Sequence, residues 1–210
     1  MARGYFISIE GSDGSGKSTQ IDLLEEYLKS LGIKATFLRE PGGTKISEKI
    51  RDIILDLKNT EMCDITEMLL YAAARAQLVS EVIQPLVEKG EIVICDRFVD
   101  SSYAYQSFAR GLELQDVKMV NNLAIRGLLP DMTLFFDISP EDAIARRLNA
   151  TPGDRLELEP AQFHKDVHRG YIALAEESPD RIKVIDAKKS IEDVAQEVRG
   201  LVNNLLSINN

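Results

Sequence analysis

Residues Gly11-Ser12-Asp13-Gly14-Ser15-Gly16-Lys17-Ser18 read G-x-x-x-x-G-K-S, between an apolar run, Tyr5 to Glu10, and an amphipathic run, Ser18 to Leu31. No other feature restricts the fold as much. The glycines allow backbone N–H groups to turn inward, and a helix beginning at the end of the loop presents its positive dipole end to an anion. A strand, an anion-sized nest and a helix in that order demand an α/β sheet with the loop at the carboxyl edge of its strand. Chance produces the pattern in roughly half a per cent of chains this long, before the flanking elements are required. The loop is read as a nucleoside-triphosphate site. Gly11, Ser12, Asp13, Gly14, Ser15, Gly16, Lys17, Ser18 and Thr19 surround the phosphates, Lys17 reaches the β- and γ-phosphates, and Ser18 is a Mg²⁺ ligand.

The rest of the chain fits that architecture. Lys34 to Arg39, Glu91 to Cys95, Met132 to Phe136 and Arg181 to Ile185 read as further strands, several of them continuously apolar as in a sheet covered on both faces. Helical spacing runs through Ile46, Ile50, Ile53, Ile54 and Leu57, and again over Pro140 to Leu148, Pro160 to Glu177 and Ser190 to Leu206. Asp64 with Glu67 three residues on reads as a capping box opening a long helix to about Lys89, with Pro85 as a possible kink. The expectation is a single α/β domain over 1–210, a P-loop three-layer αβα sandwich with a five-stranded parallel sheet. The polar stretch Asn149 to Glu159, interrupted by Pro152-Gly153, reads as a mobile lid spanning approximately 146–159.

Composition narrows the partner. Twenty-five Lys and Arg against 34 Asp and Glu leave a net charge of −9 over 210 residues, which argues against a nucleic-acid tract but not against a small phosphate held by a few local cations. No apolar stretch approaches the roughly 20 residues of a membrane helix. Cys63 and Cys95 are far apart and lack metal-ligand spacing. Two reduced thiols and a cytoplasmic location are expected.

Asp96-Arg97 follows the strand Glu91 to Cys95 at the edge where open α/β sheets bind ligands. A carboxylate there suits Mg²⁺ through water, and an adjacent arginine can fork onto a phosphate. Around it lie F-I-S-I-E-G-S-D-G-S-G-K-S-T-Q (6–20), R-E-P-G-G-T (39–44), E-M-L-L-Y-A-A-A-R (67–75), D-R-F-V-D-S-S-Y-A-Y-Q (96–106) and P-D-M-T-L-F-F-D (130–137). In these ordered motifs the chain resembles the bacterial thymidylate kinases over nearly its whole length.

That resemblance implies transfer of the γ-phosphoryl group of ATP to the 5′-phosphate of dTMP, with Mg²⁺ bound by Ser18 and Asp96. Arg51 and Arg97 would hold the acceptor phosphate, Arg75 and Gln106 the thymine edge, and Tyr71, where the family usually has Phe, would stack on the base. Ser102 and Glu40 would line the acceptor site, and Tyr105 would sit near C2′ and disfavour a 2′-hydroxyl. Asp13 would meet the acceptor's sugar or the metal. The loop carries no arginine, so a cation for the transferred group must come from Arg146, Arg147 or Arg155, the last in a lid-like D-R-L-E (154–157). Similar enzymes are homodimers. Gln106 can both donate and accept, as the N3–H and O4 of thymine require.

Plainer fates compete: core filling for Tyr71, a solvated helix face for Arg75, and helix C-terminal charge compensation for Arg146 and Arg147. No base is needed to activate an ionised phosphate oxygen, so His164 and His168 read as ordinary helix residues. Kinases for other pyrimidine monophosphates or for deoxynucleosides should lack R-E-P-G-G-T with Tyr105-Gln106. A GTPase-like switch would carry N-K-x-D, which is absent from the sequence.

Overall fold

β1 (Phe6–Glu10), β2 (Ala35–Arg39), β3 (Ile92–Asp96), β4 (Met132–Asp137) and β5 (Ile182–Asp186) form one sheet ordered β2-β3-β1-β4-β5, with every neighbouring pair parallel. The computed structural model of the chain describes residues 3–147 and 155–208. The chain leaves β1 toward one edge of the sheet and leaves β3 toward the other. The topological switch, where such sheets bind ligands, therefore lies between the carboxyl ends of β1 and β3.

Side chains alternate across β1, and that alternation sorts the core. Ile7 and Ile9 face one side, where α1 (Lys17–Ser30) and α9 (Ile191–Leu206) cover them with Leu24, Leu28, Val194, Val198 and Val202. Phe6 faces the other side, with Val93, Cys95 and Phe135, under α3 (Asp64–Leu78) and α8 (Ala161–Glu177). Each fully buried aliphatic or aromatic side chain contributes roughly 1.5–3 kcal/mol. α2 (Lys45–Leu55) packs on α3, with Thr44 as its N-cap accepting from Ser47 N.

Two expectations about the long helix change. It is not uniform: α3 passes into a π-helical segment, Val79–Ile83, before α4 (Gln84–Glu88). Pro85 has no N–H to continue the α-helical ladder and its ring crowds the preceding turn, and the wider turn just upstream absorbs both effects. Nor do Asp64 and Glu67 form a capping box. The N-cap is Cys63, without a side-chain cap bond, and the Glu67 carboxylate turns inward instead.

After β3 the chain forms α5 (Val99–Ser102), a second π-helical segment (Tyr103–Ala109) and α6 (Leu114–Ile125). α7 (Pro140–Arg147) leads to the lid region. Half of that region, 148–154, lies outside the described residues, as does the side chain of Arg147.

Candidate active site

The phosphate loop caps β1 and opens α1. Gly14 and Gly16 both take φ 90°, and a Cβ on Gly14 would stand 2.2 Å from the Ala143 carbonyl oxygen, so close approach as well as conformation requires glycine there. Among the described residues no side chain caps α1, which leaves its first N–H groups for a ligand. The Ser15 hydroxyl is buried with no partner among the described residues, a further polar group turned into the loop. Lys17 folds back, donating to the carbonyls of Gly11 at 2.9 Å and Ser12 at 3.0 Å. Burial and the neighbouring Arg97 lower the Lys17 pKa, a strain that an anion in the loop would relieve. Ser18 and Thr19 are exposed at the start of α1.

Beside the loop a cavity of about 190 Å³ opens at the switch point. Asp13, Glu40, Arg51, Tyr71, Arg75, Arg97, Ser102, Tyr105 and Gln106, the residues expected on the acceptor side, all line it. Arg97 follows β3 in a left-handed conformation, φ 68°, held because its N–H donates to the Ile9 carbonyl and the next N–H, of Phe98, donates to Glu10. That twist aims the guanidinium back at the loop. Nη2 pairs with Asp13 at 2.8 Å, and the guanidinium carbon stands 5.3 Å from the Tyr105 ring centroid. Burial opposes its charge, but Asp13 and the Tyr105 and Tyr171 hydroxyls hold Arg97 firmly protonated.

Arg75 is not on a solvated face. It is 1% exposed and donates to Glu40, to Ser102 Oγ at 2.8 Å, to Asn121 Oδ1 and to the Phe98 carbonyl at 3.0 Å. Burial raises the Glu40 pKa despite Arg75, and Glu40 Oε1 is buried with no partner among the described residues. The cavity thus presents an acceptor that lacks a donor. Arg51 Nη1 donates to the Pro41 carbonyl at 2.8 Å. Tyr71 both lines the cavity and packs against the apolar cluster, so core filling and a ligand-facing position coexist.

Asp96 Oδ1 is likewise buried without a partner among the described residues, and Asp96 shares a second hollow with Ser18. A carboxylate oxygen and a serine hydroxyl with room for water are donors that suit Mg²⁺.

The two lid arginines whose side chains are described, Arg146 and Arg155, bond to different parts of the chain. Arg146 donates to the Ala187 carbonyl at 3.0 Å, in the loop after β5. Arg155 donates to the Ile54 carbonyl at 3.0 Å and to Glu67 at 2.6 Å, on the acceptor side. His168 pairs with Asp137 at 2.7 Å, and the His164 ring stands edge-on to Phe163.

Several site residues escaped the sequence reading. Glu10 lies on the Phe6 and Ser8 face of β1 and accepts from Phe98 N at 2.7 Å, Ser101 Oγ at 2.6 Å and the Tyr171 hydroxyl at 2.8 Å. Burial, then the nearby Asp100, push its pKa up to about 7. Arg97 Nη1 in turn donates to Ser101 Oγ at 3.3 Å and lies 3.5 Å from the Tyr171 hydroxyl. A carboxylate alternating with Phe6 and Ser8 in a buried strand was the available signal for Glu10. Tyr171 offered none beyond helical spacing.

A family profile described as thymidylate kinase matches residues 9–198. The thymidylate kinase of Thermoanaerobacter sp. (strain X514) is 52% identical over 204 residues, covering 97% of this chain and 100% of its own length. That of Bacillus pumilus (strain SAFR-032) is 45% identical over 209 residues, 98% of each chain. The crystal structure of thymidylate kinase from Ehrlichia chaffeensis superposes with a TM-score of 0.78 at 32% identity, covering 96% of this chain and 99% of that one.

Proposed function

The chain belongs to the thymidylate kinase family, and from that premise we propose how its residues divide the phosphorylation of dTMP. The enzyme transfers the γ-phosphoryl group of ATP to dTMP, yielding dTDP and ADP. One observation carries the assignment of residues. Asp13 belongs to the phosphate loop, yet it lines the acceptor cavity and pairs with Arg97, so donor and acceptor sites share a wall.

In this reading the loop amides from Gly11 to Thr19 and the Lys17 ammonium hold the donor phosphates, Lys17 exchanging the Gly11 and Ser12 carbonyls for phosphate oxygens. Arg97 and Arg51 hold the acceptor phosphate beside Asp13, where its oxygen attacks the γ-phosphorus as the bridging oxygen leaves with ADP. Ser18 and Asp96 would hold Mg²⁺, which when bound neutralises negative charge on the donor phosphates. No general base is needed.

The base lies between Tyr71 and the Gln106 amide, with Arg75 and Ser102 at its edge, and Glu40 Oε1 accepts from the sugar hydroxyl. Tyr105, 7% exposed and braced by Phe163 and Tyr171 at 6.0 and 6.4 Å between ring centroids, is a rigid wall against a 2′-hydroxyl. Arg146, Arg147 or Arg155 supplies the cation that neutralises the transferred group when the lid closes.

A homodimer is supported by Ile46, Ile53, Ile65, Leu69, Met119 and Leu123, exposed on α3 and on the two helices packed against it, α2 and α6. Among the described residues no helix is long and apolar enough to cross a membrane, and both Cys63 and Cys95 are free thiols, which supports a cytoplasmic enzyme. An ADP-release assay with ATP and Mg²⁺ against dTMP, dUMP, UMP, dCMP, AMP and GMP tests the assignment. Preference for dTMP is expected, and equal turnover of UMP and dTMP would overturn the part given to Tyr105.

A further inference from the structure

Glu67 is 1% exposed, and its carboxylate bonds to Gln106, which lines the acceptor cavity, and to Arg110 and Arg155. Its Oε1 accepts from Gln106 Nε2 at 3.1 Å and from Arg110 Nε at 3.2 Å, and its Oε2 accepts from Arg110 Nη2 at 3.1 Å and Arg155 Nη2 at 2.6 Å. Burial alone would push its pKa up, but the bonds from Arg110, Arg155 and Gln106 outweigh it and hold the carboxyl below its ordinary range. Glu67 is therefore an ionised group that only accepts, facing an amide that has one donating and one accepting end.

We propose that Glu67 is a positioning residue for base selection: by accepting from Gln106 Nε2 it fixes the amide with its carbonyl available to the base, so that the pocket demands an N–H at ring position 3. The inference rests on Gln106 being the base-reading residue. The opposite amide orientation would set Gln106 Oε1 against a buried carboxylate, lone pair against lone pair, with the Gln106 donor lost from it. Thymine and uracil carry N3–H and satisfy a carbonyl. Cytosine presents a lone pair at the same place and leaves two acceptors facing each other. A binding site built to pair a polar group discriminates strongly against an analogue that leaves its own group unpaired.

The probe is 5-methyl-dCMP, which matches dTMP in size and methyl group but reverses the hydrogen-bonding pattern at positions 3 and 4. The kcat/KM ratio of dTMP to 5-methyl-dCMP is measured for the wild type, Glu67→Gln, Gln106→Ala and the double variant, with the KM for ATP as a control for an intact donor site. Glu67→Gln is expected to lower the ratio about tenfold, the worth of one such hydrogen bond, with the ATP KM unchanged. In the Gln106→Ala background the same change is expected to lower it no further. An equal fall in both backgrounds, or an undiminished ratio in Glu67→Gln, overturns the proposal.

A wild-type ratio retained in Gln106→Ala would instead show that Gln106 does not read the base, a failure of the underlying assignment and separable from the first. Glu67→Asp keeps an acceptor-only group and is expected to recover part of the ratio. Should Glu67→Gln not fold, the wild-type Gln106 side-chain amide protons, assigned by their loss in Gln106→Ala, decide the matter by NMR. Slow exchange with solvent in free enzyme and dTMP complex is expected, and fast exchange in both overturns the proposal.

Discussion

Arg97 Nη2 lies 2.8 Å from Asp13 Oδ1, which ties the residue after β3 to the loop after β1 across the switch point of the sheet. An acceptor phosphate would compete with Asp13 for this guanidinium. Replacing Arg97 by Met is expected to lower kcat/KM for dTMP by about 10³ while leaving the KM for ATP within a few-fold. Steady-state rates with each substrate varied separately check this. An equal loss on both sides would place Arg97 in the donor site instead.

Lys17→Ala is expected to abolish turnover without unfolding the protein, because the ammonium donates to the Gly11 and Ser12 carbonyls and pairs with Asp13 at 3.8 Å, all within the loop itself. Circular dichroism and a thermal melt check the fold, and ADP release checks the loss.

Arg146 and Arg155 bind carbonyl oxygens at different places, Ala187 and Ile54, and Arg147 adjoins the first. Each is to be changed singly to Met and followed in single-turnover transfer. At least one variant is expected to fall by about 10³-fold. Losses of less than about fivefold in all three would overturn the transfer role and leave Arg146 and Arg155 their bonds to Ala187, Ile54 and Glu67.

Glu10 gives the protein a pH dependence of a definite sign. Its carboxyl titrates near 7 in the fold, against 4.5 ordinarily, so between these values the folded state binds more protons than the unfolded chain. Stability is therefore lost as pH rises through that window, by about 3 kcal/mol at most. The thermal midpoint of the wild type is expected to fall more from pH 5 to pH 7.5 than that of Glu10→Gln, which is neutral throughout. Parallel falls in the two proteins would count against the shift.

Gly170 lets α8 press on the π-helical segment that carries Tyr105 and Gln106. A Cβ there would stand 2.9 Å from both Cβ and Cγ of Phe108, at the stem of a ring side chain that cannot simply swing away. Gly170→Ala is expected to cost roughly 1–3 kcal/mol in urea unfolding and to raise the KM for dTMP more than that for ATP.

The strands were legible because buried parallel strands are apolar runs bounded by glycine, proline and charge, and each observed strand lies within a residue of its expected limits. Helix interiors were less so. Nothing in the spacing of Val79 to Ile83 or Tyr103 to Ala109 distinguishes a π-helical turn from an α-helical one, since the difference lies in which carbonyl each N–H reaches. Glu67 shows the same limit for a side chain. Its place in the pattern Asp64-x-x-Glu67 suggested a local cap, but Arg110 and Arg155, 43 and 88 residues away in the chain, draw it inward.

By itself the sequence determined the phosphate loop and the alternation of strands and helices, because these depend on neighbours within a few positions. Only the tertiary structure decided how they are held. The left-handed twist at Arg97, the Glu10, Ser101 and Tyr171 cluster behind it, and the Glu67 carboxylate against Gln106 arise where separate segments meet. A buried charged or polar group must find partners wherever the packed chain supplies them, and sequence distance places no bound on that search.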